Sequence, residues 1–274
     1  MKIGKLISIA FQSVRNNLLR TFLTILGVVV GIFSVIVIMT IITMLQKSIK
    51  NGFSQLGQNT FQIQKFPVMM TGGPGARDKY KNRKDLTLED YYRLKGMLKQ
   101  AKYIGAEMWQ SGKVVKYNNK KTNPNIQVAG ITADAMKTNN WETAKGRAVR
   151  NEDVRYTHNV CDIGQDIVDK LFPNINPIGQ SIRIDGRPIK VIGVLNKQPQ
   201  LFGQSRDNYI IMPITTFQSM YGKRHRSINI TVMSYNKDNY EATIEASIGY
   251  MRLIRKVKPG QNNDFDIFSN ESIM

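Results

Sequence analysis

From Phe22 to Leu45 the chain runs for 24 residues without a charge, and about 20 apolar residues are enough to cross the hydrocarbon core of a bilayer as a helix. Sixteen of these residues are Leu, Ile, Val or Phe. At about 0.5 kcal/mol of favourable insertion each, they supply on the order of 8 kcal/mol, which the interspersed Gly, Ser and Thr do not cancel. A secretory signal has an apolar stretch of only about 7 to 15 residues and a small-residue cleavage site. Thr43-Met44-Leu45-Gln46 offers no such site. A soluble core helix is rarely apolar on all sides for this length, so the segment reads as a transmembrane helix over 21–45.

Within the span, Thr24, Gly27, Gly31 and Ser34 recur at intervals of three, four and three. Small side chains on one face let another helix approach closely, which is how helices associate where lipid removes the hydrophobic drive. These four residues are candidate membrane-helix packing residues. Residues 1–20 carry Ile3, Leu6, Ile7, Ala10, Phe11 and Val14 at helical spacing among Lys2, Lys5 and Arg15, as expected of an amphipathic leader on the inner leaflet. Beyond the span, Leu45, Ile49, Phe53 and Leu56 extend the helical period, predicting a stalk over 46–58 that ends near Gly57. Nearby basic residues almost balance across the span. Orientation therefore rests on the length of the following domain, which translocates regardless of charge: N-terminus in the cytoplasm, bulk of the chain outside.

The chain's 39 Lys and Arg against 20 Asp and Glu give a net charge of +19. Such an excess suits nucleic acid, an anionic membrane surface or an acidic ligand. Residues 1–45 hold four of the cations and no acid, leaving 35 against 20 for the remainder, so the charge is spread rather than gathered on one element. A nucleic-acid protein would concentrate it or interleave it with aromatics, and a basic surface beside anionic lipid fits better. The single cysteine, Cys161, allows no disulfide within the chain and reads as a small buried side chain.

After the stalk, Thr60 to Phe66 alternates as a half-buried strand. Residues 67–84, with Gly72, Gly73, Pro74 and Gly75, read as an exposed loop that lacks the Lys-Ser/Thr of a phosphate-binding loop. Thr87 and Asp90 fit a capping signal for a helix to about Leu98. Ile126 to Ile131 reads as a further segment, and Ile163 to Phe172 as helical. Ser181 to Ile184 and Ile189 to Val194 form a hairpin about Asp185-Gly186, with Pro188 suggesting an edge position. Strands follow at about Tyr209 to Met212 and Ser227 to Ser234. A helix near Glu241 to Val257 and a strand around Phe265 to Phe268 complete an α+β outer domain.

Catalytic machinery is not legible. His158 and His225 have no ligand spacing to another His or Cys, so a zinc site is not expected. No G-x-S-x-G elbow or carboxylate pair stands out. No catalytic, cofactor-binding or metal-binding residue is assigned, and Trp109 and Trp141 read as packing residues.

The ordered motifs Asn16 to Ile32, Gly146 to Val154 (GRAVRNEDV), Leu171 to Leu195 (LFPNINPIGQSIRIDGRPIKVIGVL), Tyr209 to Phe217 and Asp264 to Ser269 resemble the MacB-type permeases of the FtsX-like family, and the resemblance covers nearly the whole chain. It marks Gly146, Arg147, Phe172, Pro173, Pro177, Gly179, Gly186 and Gly193 as family-motif structural residues. It implies a mixed α/β periplasmic core domain over 59–274 in two subdomains. One is porter-like, continuous with the stalk and built from both chain ends; the other is inserted at about 136–225.

By the same resemblance the chain is the N-terminal part of an ATP-binding-cassette permease in the bacterial inner membrane. It would dimerise with itself or a related permease, couple to a cytoplasmic ATPase that binds the ATP, and engage a periplasmic adaptor. The expected role is export of a small molecule, peptide or lipoprotein, or mechanical signalling, without catalysis, cofactor or nucleic acid of its own. Family members continue into three further transmembrane helices, a region this sequence does not include. The alternative is a single-pass anchored periplasmic interaction module without transport activity.

Overall fold

The computed structural model describes residues 12, 15, 17–53, 59–67, 78–198 and 205–269, with side chains as far as Met44 in the first helix. The chain divides into two compact units, Met1–Asn51 and Gly52–Met274. The apolar leader residues expected from Ile3 to Val14 lie outside the described residues, as does the expected stalk end at 54–58.

The first unit is built on one helix, α1 (Leu18–Phe53). From Leu18 to Met44 it is long and apolar enough to cross a membrane. At about 1.5 Å per residue, its 27 residues reach roughly 40 Å. Its large apolar side chains are exposed around the whole circumference, as suits lipid. The polar side chains do not disturb this. Thr24, Ser34, Thr40 and Thr43 donate their hydroxyls to carbonyls three or four residues back, at 2.7–3.1 Å. These four hydroxyls are thereby satisfied within the helix, which an apolar surrounding requires. The helical backbone continues through Phe53.

The second unit is one mixed sheet of twelve strands. Its strands are β1 (Thr60–Gln64), β2 (Ala101–Lys113), β3 (Val115–Tyr117), β4 (Lys120–Lys121), β5 (Ile126–Ile131), β6 (Thr143–Gly146), β7 (Val160–Ile163), β8 (Ser181–Ile184), β9 (Arg187–Leu195), β10 (Tyr209–Pro213), β11 (Asn229–Ser234) and β12 (Asp266–Ser269). The order is β12-β1-β11-β2-β5-β10-β7-β9-β8-β3-β4, with β6 added on β9. β5 with β10 and β7 with β9 are parallel; the other pairs are antiparallel. β1 sits between β11 and β12, which places the start and end of the outer domain on neighbouring strands. Helices α2 (Asp78–Lys81), α3 (Leu88–Met97), α4 (Ala135–Thr138), α5 (Asn151–Arg155), α6 (Gln165–Leu171), α7 (Ile214–Tyr221) and α8 (Tyr240–Ile254) fill the connections.

Local signals explain several elements. Thr87 Oγ1 accepts from Asp90 N at 3.2 Å while Asp90 Oδ2 accepts from Thr87 N at 2.9 Å, closing the capping box of α3. Asp185 at φ 48° and Gly186 at φ 82° make the tight turn between β8 and β9, pairing Ile182 with Ile189. The core is continuous, from Phe61 and Ile63 at one end of the sheet to Ile182, Ile184 and Val191 at the other.

Four expectations need correction. β1 is not half-buried: Thr60, Phe61, Gln62 and Ile63 are all buried, because elements cover both of its faces. β9 is not an edge strand, since β7 and β8 flank it. Lys190 N donates to Asn159 O on the β7 side, and β7 pairs with β9 only from Lys190 onward. Pro188, two residues earlier, points its missing donor to the same side just before that partner begins. The loop at 67–84 contains the single turn α2, with 68–77 outside the described residues. Ile163 ends β7, and the helix expected from it starts at Gln165.

Candidate functional site

In α1, Thr24, Gly27, Gly31 and Ser34 lie on the exposed helix. A Cβ added at Gly27 or Gly31 would meet nothing within 4 Å, so a partner helix could approach this face to backbone contact.

The GRAVRNEDV motif folds into a compact charged knot. Arg147 Nη1 and Nη2 donate to Asp153 Oδ2 and Oδ1 at 2.6 and 3.0 Å, the fork geometry that a guanidinium and a carboxylate share. Asp153 also accepts from Arg150 N at 2.9 Å and lies 3.1 Å from His158 Nδ1. Burial alone would raise its pKa, but the bonds from Arg147, Arg150 and His158 outweigh it and hold the carboxyl at about 2. Thr215 and Thr216, at the start of α7, donate to Val154 O and His158 O, both at 2.7 Å, tying α7 to the knot. His158 lies exposed in the loop after α5, with its Nδ1 against Asp153.

Beneath the knot lies Asp162 of β7, with no exposed surface. Its Oδ2 accepts from Val149 N at 3.1 Å, while Oδ1 has no partner. Burial pushes its pKa up to about 7 against the pull of that bond and of Arg147. A Cβ on Gly193 would collide with Asp162 Oδ1 and stand 2.6 Å from Arg147 O. Gly146, at φ +82°, brings its Cα against Ile192 O. The two glycines therefore let the motif strand lie directly on β9, and Arg147 N donates to Ile192 O at 3.0 Å.

The other motif residues organise the hairpin region. Phe172 is buried, with its ring centroid 4.4 Å from that of Tyr117. Pro177 is buried while Pro173 is exposed. Gly179, at φ +85°, donates to Val191 O at 2.8 Å. Trp109 and Trp141 meet edge to face at 5.9 Å, and Trp141 continues to Tyr209 at 6.1 Å. Cys161 is fully buried.

A second polar cluster was not legible in the sequence. Glu107 of β2 is almost fully buried and accepts from Gln62 Nε2 at 2.7 Å and Asn139 Nδ2 at 2.8 Å. Burial raises its pKa, while bonds from Trp109, Asn139, Gln62 and Asn229 oppose the rise. No local signal marks Glu107, because apart from Trp109 its partners come from β1, β11 and the end of α4. Asp153, by contrast, stands inside the quoted motif, six residues after Arg147. Among the described residues no group of three or more His, Cys, Asp or Glu is placed to hold a metal ion.

Among the described residues one helix long and apolar enough to cross a membrane precedes an α+β sheet domain, the arrangement of a membrane-anchored protein with a folded domain outside the bilayer. The profile of the MacB-like periplasmic core domain matches residues 21–248, and the chain belongs to that family. Among similar proteins is the macrolide export ATP-binding/permease protein MacB of Neisseria meningitidis serogroup A, 30% identical over 95% of this chain and 38% of the relative. Its counterpart in Rhodopirellula baltica is 29% identical over 77% of this chain and 30% of its own length. The chain thus spans well under half of these relatives. Two solved structures share the fold. The periplasmic region of MacB from Actinobacillus actinomycetemcomitans matches with a TM-score of 0.63 and 20% identity, over 80% of this chain and 92% of that one. The extracellular domain of the noncanonic ABC-type transporter YknZ matches with a TM-score of 0.57 and 21% identity, over 77% of this chain and all of that one.

Proposed function

We propose that this chain is the N-terminal part of an ATP-coupled permease, with its N-terminus in the cytoplasm and its sheet domain outside the inner membrane. The observation that carries this reading is the similarity to ATP-binding/permease proteins over 95% of the chain, which includes the transmembrane helix as well as the outer domain. ATP binding and hydrolysis belong to a cytoplasmic ATPase, separate or fused. Motion passes through the stalk at 46–58 to the sheet domain, whose porter-like part and inserted part at about 136–225 move against an adaptor. The small-residue face at Thr24, Gly27, Gly31 and Ser34 packs against helices of the same permease or of its dimer mate. The cargo class is a small molecule, peptide or lipoprotein, and mechanical signalling uses the same parts.

Mild solubilisation of native membranes, recovery of the tagged chain and measurement of vanadate-sensitive ATP hydrolysis test the proposal. ATP hydrolysis that co-purifies with the chain is expected. Full recovery of the chain without a nucleotide-binding polypeptide would favour the single-pass interaction module.

A further inference from the structure

One solvent face of the outer sheet carries a row of cations that the local sequence does not display. Lys121 of β4 lies directly opposite Lys116 of β3, Lys116 lies opposite Arg183 of β8, and Arg183 lies opposite Pro188 of β9. Two residues along, on the same face, Lys190 of β9 lies opposite Ser181. Directly paired residues share a face, and Lys116, Lys121, Arg183 and Lys190 are all exposed. The opposite face of the same strands is core, with Val115, Ile182, Ile184 and Ile189 fully buried. Strands lie about 4.8 Å apart, so the charges of Lys121, Lys116 and Arg183 start from Cα positions spaced along a line of roughly 10 Å.

Like charges directly opposite one another destabilise a sheet, and among the described residues no carboxylate pairs with any of the four cations to relieve that repulsion. The nearby acid, Asp185, is taken by Lys113 at 2.7 Å. Edge protection accounts for a lysine on β4, which ends the strand order. It does not account for Arg183 and Lys190, because β8 and β9 are interior strands.

The face also limits the partner. Ser181 and Pro188 interleave with the cations, so it lacks the aromatic and large apolar anchors that dominate protein interfaces and the rings on which nucleic-acid bases stack. A flat line of lysine point charges around one arginine fork suits repeating phosphate groups. We propose that Lys121, Lys116, Arg183 and Lys190 form a docking strip for inorganic polyphosphate, a linear phosphate polymer without bases or spacers between its phosphates, which suits cations set on directly adjacent strands. The inference stands apart from the transport reading and holds equally for an anchored module.

The test uses the full chain in nanodiscs of uncharged lipid, titrated with fluorescent inorganic polyphosphate at several salt concentrations. A parallel arm uses poly(glycerol phosphate), a phosphodiester polymer; binding there as tight as that of polyphosphate, or binding there alone, overturns the assignment to the inorganic polymer. The K116Q/R183Q variant should bind at least tenfold more weakly, with a shallower salt dependence, because fewer counterions are released per complex. K99Q/K137Q, which removes the same charge from exposed positions elsewhere, should bind as the parent does, and melting curves establish that both variants are folded. Equal binding by the parent and K116Q/R183Q overturns the proposal. So does competition by poly-L-glutamate as effective as that by unlabelled polyphosphate, which would assign the strip to an acidic protein segment.

Discussion

Arg147 grips Asp153 through two parallel hydrogen bonds of 2.6 and 3.0 Å, and the same arginine's backbone donates to Ile192 O of β9. Side chain and main chain of one residue thus fasten the GRAVRNEDV segment to the sheet and to α5. Asp153 is 3% exposed and Arg147 37%, so removing the cation leaves a nearly buried carboxylate. A fully buried pair broken this way costs about 3–5 kcal/mol, and solvent at Arg147 reduces that to roughly 2 kcal/mol. Arg147→Met should lower the unfolding free energy of the outer domain by that amount, read as a lower midpoint in urea titrations. An unchanged midpoint would show that the knot contributes nothing to stability.

Acid should act through the same pair. Asp153 has a folded pKa of about 2, below its unfolded value of about 3.9. Its stabilisation is present above about pH 4 and is lost as pH falls towards 2. Arg147→Met should flatten the fall in melting temperature across this window.

Asp162 works in the opposite sense. Its folded pKa of about 7 lies above the unfolded value of about 3.9, so the folded state holds a proton that the unfolded state has released. Stability should decline as pH rises from about 4 to about 7, then level off. Glu107 and Asp207 are also raised by burial and add the same sign. Asp162→Asn should therefore reduce the slope without abolishing it. A slope identical to that of the parent in melting scans would rule out Asp162 as a contributor.

Two glycine pairs should behave differently. Gly193→Ala forces a Cβ against Asp162 and Arg147, and Gly146→Ala forces one against Ile192 O at φ +82°. Each should cost at least about 2 kcal/mol or prevent folding. Gly27→Ile and Gly31→Ile meet open space and should leave the outer domain's melting unchanged. If the small-residue face is a packing surface, they should lower cross-linking of the helix to its membrane partners severalfold.

Arg255 offers a test at the other end of the sheet. Its side chain is 2% exposed and bonds Asp264, Asp90, Lys84 O and Asp85 O. Arg255→Ala removes the cation from two carboxylates and two carbonyls, for an expected loss of about 3–5 kcal/mol. Calorimetry of the purified chain would check it, and a loss under about 1 kcal/mol would mean that solvent replaces these bonds.

The transmembrane helix, the capping box at Thr87 and Asp90, and the Asp185-Gly186 hairpin could all be read from the sequence. Each depends on residues within one or a few turns of each other, and a bilayer or a tight turn accepts few alternatives. β2 escaped notice because Gly105 and Glu107 break its alternation, and Glu107 is tolerable only with Gln62 and Asn139 folded against it. β7 was hidden for the same reason by Asp162. The arginine of the motif was legible; its grip on Asp153 was not, because the sequence does not say where a side chain points. Tertiary structure alone set β1 between β11 and β12, buried the carboxyl groups of Glu107, Asp153, Asp162 and Asp207, and lined up Lys121, Lys116, Arg183 and Lys190. Such contacts join segments tens to hundreds of residues apart, and strand pairing between remote segments is selected by the whole core rather than by any local pattern.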